Sequence, residues 1–152
     1  MNIRADAARV LADVVRHGKS LSVVLPQALK NPDRLEDGAL LQEICYGVLR
    51  WHLRLQSMAG QLLRKSFKSR DCDIECLLWV GLYQLEYMRM PAYAAVAETV
   101  EAAKQLKKPW AASLLNGVLR NYTRNQESIR EQADKVAESR LSHPRWFLQT
   151  VQ

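Results

Sequence analysis

The stretch from Asp73 to Met90 constrains the fold most. Within it Ile74, Leu77, Leu78, Trp79, Val80, Leu82, Tyr83, Leu85, Tyr87 and Met88 are apolar or aromatic, and at helical spacing they occupy most of the circumference. A helix apolar nearly all round belongs at the centre of a bundle, because no face of it is suited to water. The rest of the chain supplies one-faced helices. Ile3, Ala7, Val10, Leu11, Val14 and Val15 recur at three- and four-residue intervals and predict a first amphipathic helix that stops near Gly18. Ser20 is a candidate cap for a shorter helix containing Val23 to Leu25, with Pro26 in its first turn or kinking it and Asn31-Pro32 ending it.

From Asp37, a candidate N-cap, residues Leu41, Ile44, Cys45, Val48, His52, Leu55, Ala59 and Leu62 share one side of a single long helix reaching about Lys65. The other side carries Glu43, Gly47, Arg50, Arg54, Gln61 and Lys65. After Pro91, the alanine-rich run to Lys107 has high helix propensity. Pro109 fits the first turn of the next helix, with Leu114, Leu115, Val118, Leu119 and Tyr122 inward and Ser113, Arg120 and Arg124 outward. Residues 126 to 140 carry a thin stripe of Ile129, Ala133, Val136 and Ala137 and predict a peripheral helix. No sustained alternation of period two, no long repeat and no low-complexity tract interrupts this pattern. The expectation is an all-α domain of about seven helices.

A chain of 152 residues buries roughly 70% of its extended surface on folding, and 48% hydrophobic against 25% charged residues is a globular composition. No run of about 18 apolar residues predicts a membrane span. Three cysteines, Cys45, Cys72 and Cys76, lie in helical text rather than in a disulfide framework, which fits a reducing, cytoplasmic setting. Ser142-His143-Pro144 resembles a fresh helix start, and Trp146, Phe147, Leu148 and Val151 run to the last residue without a stop signal. The expected organisation is a domain over residues 1–141, with 142–152 beginning a linker toward a further domain.

Charge is distributed unevenly. The net charge is +6 and the isoelectric point about 9.4, and residues 1–70 hold 12 basic against 6 acidic side chains, whereas 71–152 hold 10 of each. Between Ile44 and Arg70 there is no carboxylate, while Arg50, Arg54, Arg64, Lys65, Lys68 and Arg70 accumulate with Trp51 and Phe67 among them. Unbalanced cations attract phosphates through counterion release, and interleaved aromatics can stack on unpaired bases. A solvated helix face with Trp51 at the core edge is the other reading. Arg9 and Arg16 share the solvent face of the first helix with Arg4 beside its apolar stripe; they can grip a phosphate backbone or simply pair with Asp6 and Asp13. Gly47 invites close approach by a helix or by RNA, and Gly81 and Asn116-Gly117 read as close helix contacts.

Nothing in the chain reads as a catalytic site. There is no phosphate-binding glycine loop and no nucleophile on a strand-to-helix turn. Cys72 and Cys76 lack the further ligands that zinc requires, and His17, His52 and His143 are dispersed. Glu98 and Glu101, near Lys104 and Lys107, read as ion-paired surface rather than as a carboxylate pair.

In order along the chain, the helix from Arg4 to Val15, Leu40-Leu-Gln-Glu-Ile-Cys-Tyr-Gly-Val-Leu-Arg50, Gly81-Leu-Tyr-Gln-Leu-Glu-Tyr87, Ala97-Glu-Thr-Val-Glu101 and Leu115-Asn-Gly-Val-Leu-Arg120 resemble the NusB-like fold over about residues 3–125. The segments at Gly81 and Ala97, with Ser142-His-Pro-Arg-Trp146, are more similar to the N-terminal domain of the bacterial small-subunit ribosomal RNA cytosine-C5 methyltransferase B family than to the antitermination factor. The resemblance implies two packed three-helix subdomains with extra helices. It implies ribosomal RNA binding on behalf of a catalytic domain that uses S-adenosylmethionine and lies outside this chain. The family's catalytic cysteines follow Pro or Thr, whereas Cys45, Cys72 and Cys76 follow Ile44, Asp71 and Glu75, so none carries over. RNA contact through the first helix is implied for Arg4 and Arg9, although Asp6 and the alanines dilute the family's arginine-rich start.

The expected RNA-contact set is therefore Arg4, Arg9, Arg16, Arg50, Arg54, Arg64, Lys65, Lys68 and Arg70. No metal, cofactor or catalytic residue is expected in the chain itself. Its expected partners are ribosomal RNA and its own C-terminal methyltransferase domain, with the chain a monomer. The rival readings are a free-standing antitermination-type factor and a helical module that binds only protein.

Overall fold

The computed structural model describes residues 2–141, with side chains through Val136. The described residues form eight α-helices: α1 Ile3–His17, α2 Leu21–Leu29, α3 Gly38–Arg50, α4 His52–Leu62, α5 Cys72–Tyr87, α6 Ala92–Gln105, α7 Ala111–Arg124 and α8 Gln126–Leu141. Short 3-10 turns at Pro32–Arg34 and Ser69–Asp71 complete the path, and no strand occurs among the described residues. The reading of residues 142–152 as a linker lies outside them.

Eleven residues of α5 are buried, from Cys72 through Gln84, and α1, α3, α4, α6 and α7 all pack around it. Helices α1 to α3 contact one another, as do α5 to α7, and the α1–α5 contact joins the two groups. Side-chain contacts set α1 antiparallel to α5. Arg4 Nε donates to Gln84 Oε1 at 2.9 Å near one end, and at the other Arg16 is close enough for its charge to act on the Cys72 thiol. Asn2 caps α1 by accepting from the Arg4 amide at 2.7 Å. Gly18 ends it in the left-handed region at φ 66°, a conformation that costs glycine nothing.

The buried polar residues Gln84, Thr99 and Arg34 each have partners. Fully buried Gln84 donates to Thr99 Oγ1 at 2.9 Å and to the Val80 carbonyl at 3.2 Å, and Thr99 in turn donates to the Ala95 carbonyl at 2.7 Å. Arg34, only 3% exposed, reaches Asp6 of α1 at 3.0 Å and Asp37 at 2.9 Å. Asp37 therefore spends its carboxylate on Arg34 and makes no side-chain cap bond to α3. Asp6 likewise turns to Arg34; burial raises its carboxyl pKa, and the Arg34 charge opposes that rise. Ser20 precedes α2 without a side-chain cap bond, its hydroxyl paired with Ser22 at 2.7 Å. Pro26 falls inside α2 rather than in its first turn.

The long helix expected over 37–65 is two helices, which raises the expected seven to eight. Trp51 leaves helical geometry at φ −102°, ψ 20°, although its amide still bonds Gly47 O at 3.0 Å and its carbonyl accepts from Leu55 at 2.9 Å. The break lets α3 lie on α1 and α5 while α4 turns toward α5 and α8. Trp51 stacks on Tyr87 at 4.9 Å and 15°. Both halves keep an apolar side, so the periodicity runs through the break unmarked.

Gly47 is explained by a helix rather than by RNA: a Cβ there would overlap the Tyr83 ring. At Gly81 a Cβ would lie 2.9 Å from Leu119 Cδ1 and 3.1 Å from Thr99 Cγ2. Leu119 and Thr99 are both fully buried, so Gly81→Ala is expected to destabilise the chain by about 1–3 kcal/mol, read from urea unfolding.

His52 packs edge-on to Trp79 at 4.7 Å, and its Nε2 is buried without a hydrogen-bond partner. Burial lowers its pKa below the ordinary 6.5. Below 6.5 the unfolded chain takes up a proton that the folded chain resists, so this group lowers stability as pH falls. The urea midpoint should drop between pH 7.5 and pH 5.5, and His52→Phe should shrink that drop; an undiminished drop would clear His52.

Candidate nucleic-acid interface

The structure divides the nine expected cations among separate places. Arg4 is half-buried, bonded to Gln84 and 3.7 Å from Glu98. Burial lowers its pKa, and Glu98 opposes that shift. Arg54, with 18% of its side chain exposed, is held by Glu86 at 2.8 Å, Asp134 at 3.0 Å and the Tyr87 hydroxyl at 2.9 Å. Glu86 is 5% exposed and is also bonded by Arg130 at 2.6 Å. These arginines are committed to the fold. Arg9 is exposed and donates to the Gln105 carbonyl at 3.3 Å. Arg50 is exposed, with its guanidinium 5.5 Å from the Trp51 ring centroid.

The remaining five gather near the N-terminal end of α5. Arg16 lies at the end of α1, and Arg64, Lys65, Lys68 and Arg70 are exposed along the connector between α4 and α5. A 16-residue helix is about 24 Å long, so this group stands well apart from Arg50 and Arg54 near Tyr87. The connector forms one wall of a groove of about 870 Å3 whose other wall is α7. Leu62, Leu63, Phe67 and Val118 give it an apolar lining, and Arg64, Lys65, Lys68 and Arg70 give it cations.

Two carboxylates lie at the end of the connector, and both are answered from within. Lys108 Nζ is 3.2 Å from Asp71 and 2.7 Å from Asp73, and it donates to the Arg70 carbonyl at 2.6 Å. Burial lowers the Lys108 pKa, but the bonds to Asp73 and Asp71 outweigh it and the net shift is upward. Arg70 lies 4.0 Å from Asp71 with 74% of its side chain exposed, a distance and exposure at which pairing is weak. The connector cations therefore keep most of their field for solvent.

Three features of the groove depart from the sequence reading or escape it. Leu114, expected inward, is 38% exposed, and Trp110 is 55% exposed; both line the groove. Trp110 sits ahead of the first turn of α7, where a helical stripe has not yet begun to assign faces. Gly117 was expected at a tight helix contact, yet it is exposed and a Cβ there would meet nothing within 4 Å. Gly60 has the same open surroundings and lines a smaller cleft with Arg64 and Lys65.

Elsewhere the site chemistry is limited. Burial pushes the Cys45 thiol up to about 12 and raises Cys76 further, so both remain protonated at neutral pH. Among the described residues no group of three His, Cys, Asp or Glu could hold a metal ion. Glu101 pairs with Lys104 at 3.4 Å, whereas Glu98 turns to Arg4.

An all-helical bundle that carries a basic, aromatic-bearing groove on its surface is the class these features define. The chain belongs to the NusB family, whose model matches residues 1–124. It is 49% identical over 152 residues to a protein of Vibrio vulnificus (strain YJ016) named ribosomal RNA small subunit methyltransferase B, covering 100% of this chain and 35% of that protein. The protein of that name from Pseudomonas putida (strain KT2440) is 47% identical over 147 residues, 97% of this chain and 34% of the relative. A Coxiella burnetii protein named probable ribosomal RNA small subunit methyltransferase B is 38% identical over 151 residues, 99% and 34% respectively. The chain thus spans about a third of the length of these relatives.

The commitment of Arg54 to the fold is testable. Arg54→Ala is expected to lower stability by about 1–3 kcal/mol in urea unfolding, because Glu86 loses its better-buried partner. A variant as stable as the parent would return Arg54 to the list of free cations.

Proposed function

We propose that this chain is an RNA-binding domain that positions small-subunit ribosomal RNA for a methyltransferase domain of the same protein. The observation that carries the reading is the connector groove, where four exposed cations face solvent beside an exposed tryptophan while Asp71 and Asp73 are turned to Lys108. Such a surface suits a polyanion with flat, partly apolar bases. The names of the relatives supply the kind of RNA. Phosphate contacts of this type fix position without reading sequence.

In this reading the catalytic cysteine and the S-adenosylmethionine site belong to the methyltransferase domain, and the present chain contributes neither. The transfer to cytosine C5 is what the sequence resemblance implies for that domain. No helix among the described residues is long and apolar enough to cross a membrane, which is compatible with action in the cytoplasm. The groove's apolar lining also makes docking of the methyltransferase domain itself the main competitor.

Titration of the chain with a small-subunit ribosomal RNA fragment across a salt series decides between them. Binding should weaken linearly in log salt. The double variant Lys65→Glu/Lys68→Glu should bind about tenfold more weakly and lower the log–log slope by about 1.4, the share of two single-strand phosphate contacts. Unchanged affinity and slope in the folded variant would move the RNA contact elsewhere. Absence of RNA binding by the parent chain, with tight binding to the separate methyltransferase domain, would favour the docking module.

A further inference from the structure

Helix α7 borders two depressions. Trp110, Ser113, Leu114, Gly117, Val118 and Asn121 face the connector groove, whereas Asn116, Arg120, Thr123 and Arg124 face a second cleft of about 470 Å3 shared with the start of α6. At helical spacing the two sets lie roughly a quarter turn apart, so the grooves occupy neighbouring faces of one helix. Gly117, Arg120 and Arg124 fall along the edge between them.

The second cleft has its own chemistry. Its lining contains no carboxylate. Arg120 and Arg124 are exposed, and their side chains have no ion pair or hydrogen bond among the described residues. They stand one turn apart on the same helix, where like charges repel. Placing Arg124 in the last turn of α7 suits the helix dipole, but Arg120 lies a turn earlier. Across the cleft Tyr93 is 79% exposed, with the small side chains of Ala92 and Ala97 beside it. Two unanswered cations facing an exposed ring suit an occupant that is both anionic and flat.

Gly117 joins these observations. In a helix interior glycine is less favourable than alanine, and the interior of this molecule gives no reason for it, since a Cβ there has open space. What a bare helix surface provides is close approach from outside.

We infer that an unpaired RNA strand crosses α7 over Gly117, leaving the connector groove and entering the second cleft, where a base stacks on Tyr93 and Arg120 and Arg124 hold phosphates. This rests on the RNA reading above and extends it from one groove to a continuous track. A helix is about 10–12 Å across with its side chains, so a few nucleotides suffice to span both.

The test uses fluorescently labelled single-stranded RNA of four and of twelve nucleotides, titrated with the 152-residue chain at 0.15 M salt, where charge effects beyond about 8 Å are screened. Arg120→Glu/Arg124→Glu should weaken the twelve-nucleotide strand about tenfold and leave the four-nucleotide strand unchanged. Tyr93→Ala should weaken the longer strand with little change in salt slope, as expected for lost stacking. Gly117→Gln should raise the thermal midpoint while weakening the longer strand. Circular dichroism verifies that each variant retains its helices. If the longer strand binds the arginine, tyrosine and glycine variants as it binds the parent, the crossing is wrong. Equal weakening of both lengths by Arg120→Glu/Arg124→Glu also overturns it, because the short strand would then occupy the second cleft alone. In either case Lys65→Glu/Lys68→Glu still reports on the RNA reading: if only that variant loses affinity, the connector groove survives without the crossing.

Discussion

The enclosure of α5 is the constraint from which the other helices take their places. With nearly its whole circumference apolar, α5 is stable only when surrounded, and five helices contribute a face each. Its packing leaves little spare volume: Gly47 admits Tyr83, and Gly81 admits Leu119 and Thr99. Where side chains of α5 must be polar, the fold provides partners. Gln84 is bonded from α1 and to α6. Glu86, near the C-terminal end, is closed off by Arg54 from α4 and Arg130 from α8. That last arrangement explains how α8 attaches. Its apolar stripe is thin, with Ile129 and Ala133 buried, and the ion pairs of Arg130 and Asp134 add a second set of contacts where the stripe cannot cover the surface.

Most of the helices were legible because burial of one face leaves a period in the sequence. The end at Gly18 was legible for a similarly local reason, whereas α5 stops at Tyr87, three residues short of the Met90 that Pro91 suggests. The turn at Trp51 was not, since apolar positions continue on both sides of it and the partner that holds it, Tyr87, lies 36 residues away in the chain. The fates of the cations were hidden for the same reason. Arg54 and Arg64 look alike in a carboxylate-free stretch, yet Arg54 meets Glu86 and Asp134 from distant segments while Arg64 faces the groove. Local charge density identifies a basic region but cannot say which of its members tertiary contacts will neutralise.

Those contacts separate two roles that composition merges. Arg4, Arg34, Arg54 and Arg130 work inside the fold, each bridging helices or loops that would otherwise leave a carboxylate or amide poorly answered. Lys108 works indirectly: by occupying Asp71 and Asp73 it prevents them from quenching the connector. The net charge of +6 is thus a poor guide to the field at the groove. What matters is that Asp71 and Asp73 are spent on Lys108, so a few exposed side chains dominate one wall.

The glycines sort in the same way. Gly47 and Gly81 are required by neighbours within the bundle, and Gly18 by its left-handed backbone. Gly60 and Gly117 have no such neighbour, and both stand in helices at the border of the basic connector or its groove. If folding alone had shaped these two positions, alanine would serve the helix better. The internal contacts that account for the first group therefore leave the second to be explained from outside the molecule, on a surface where cations, an exposed tryptophan and bare helical backbone meet.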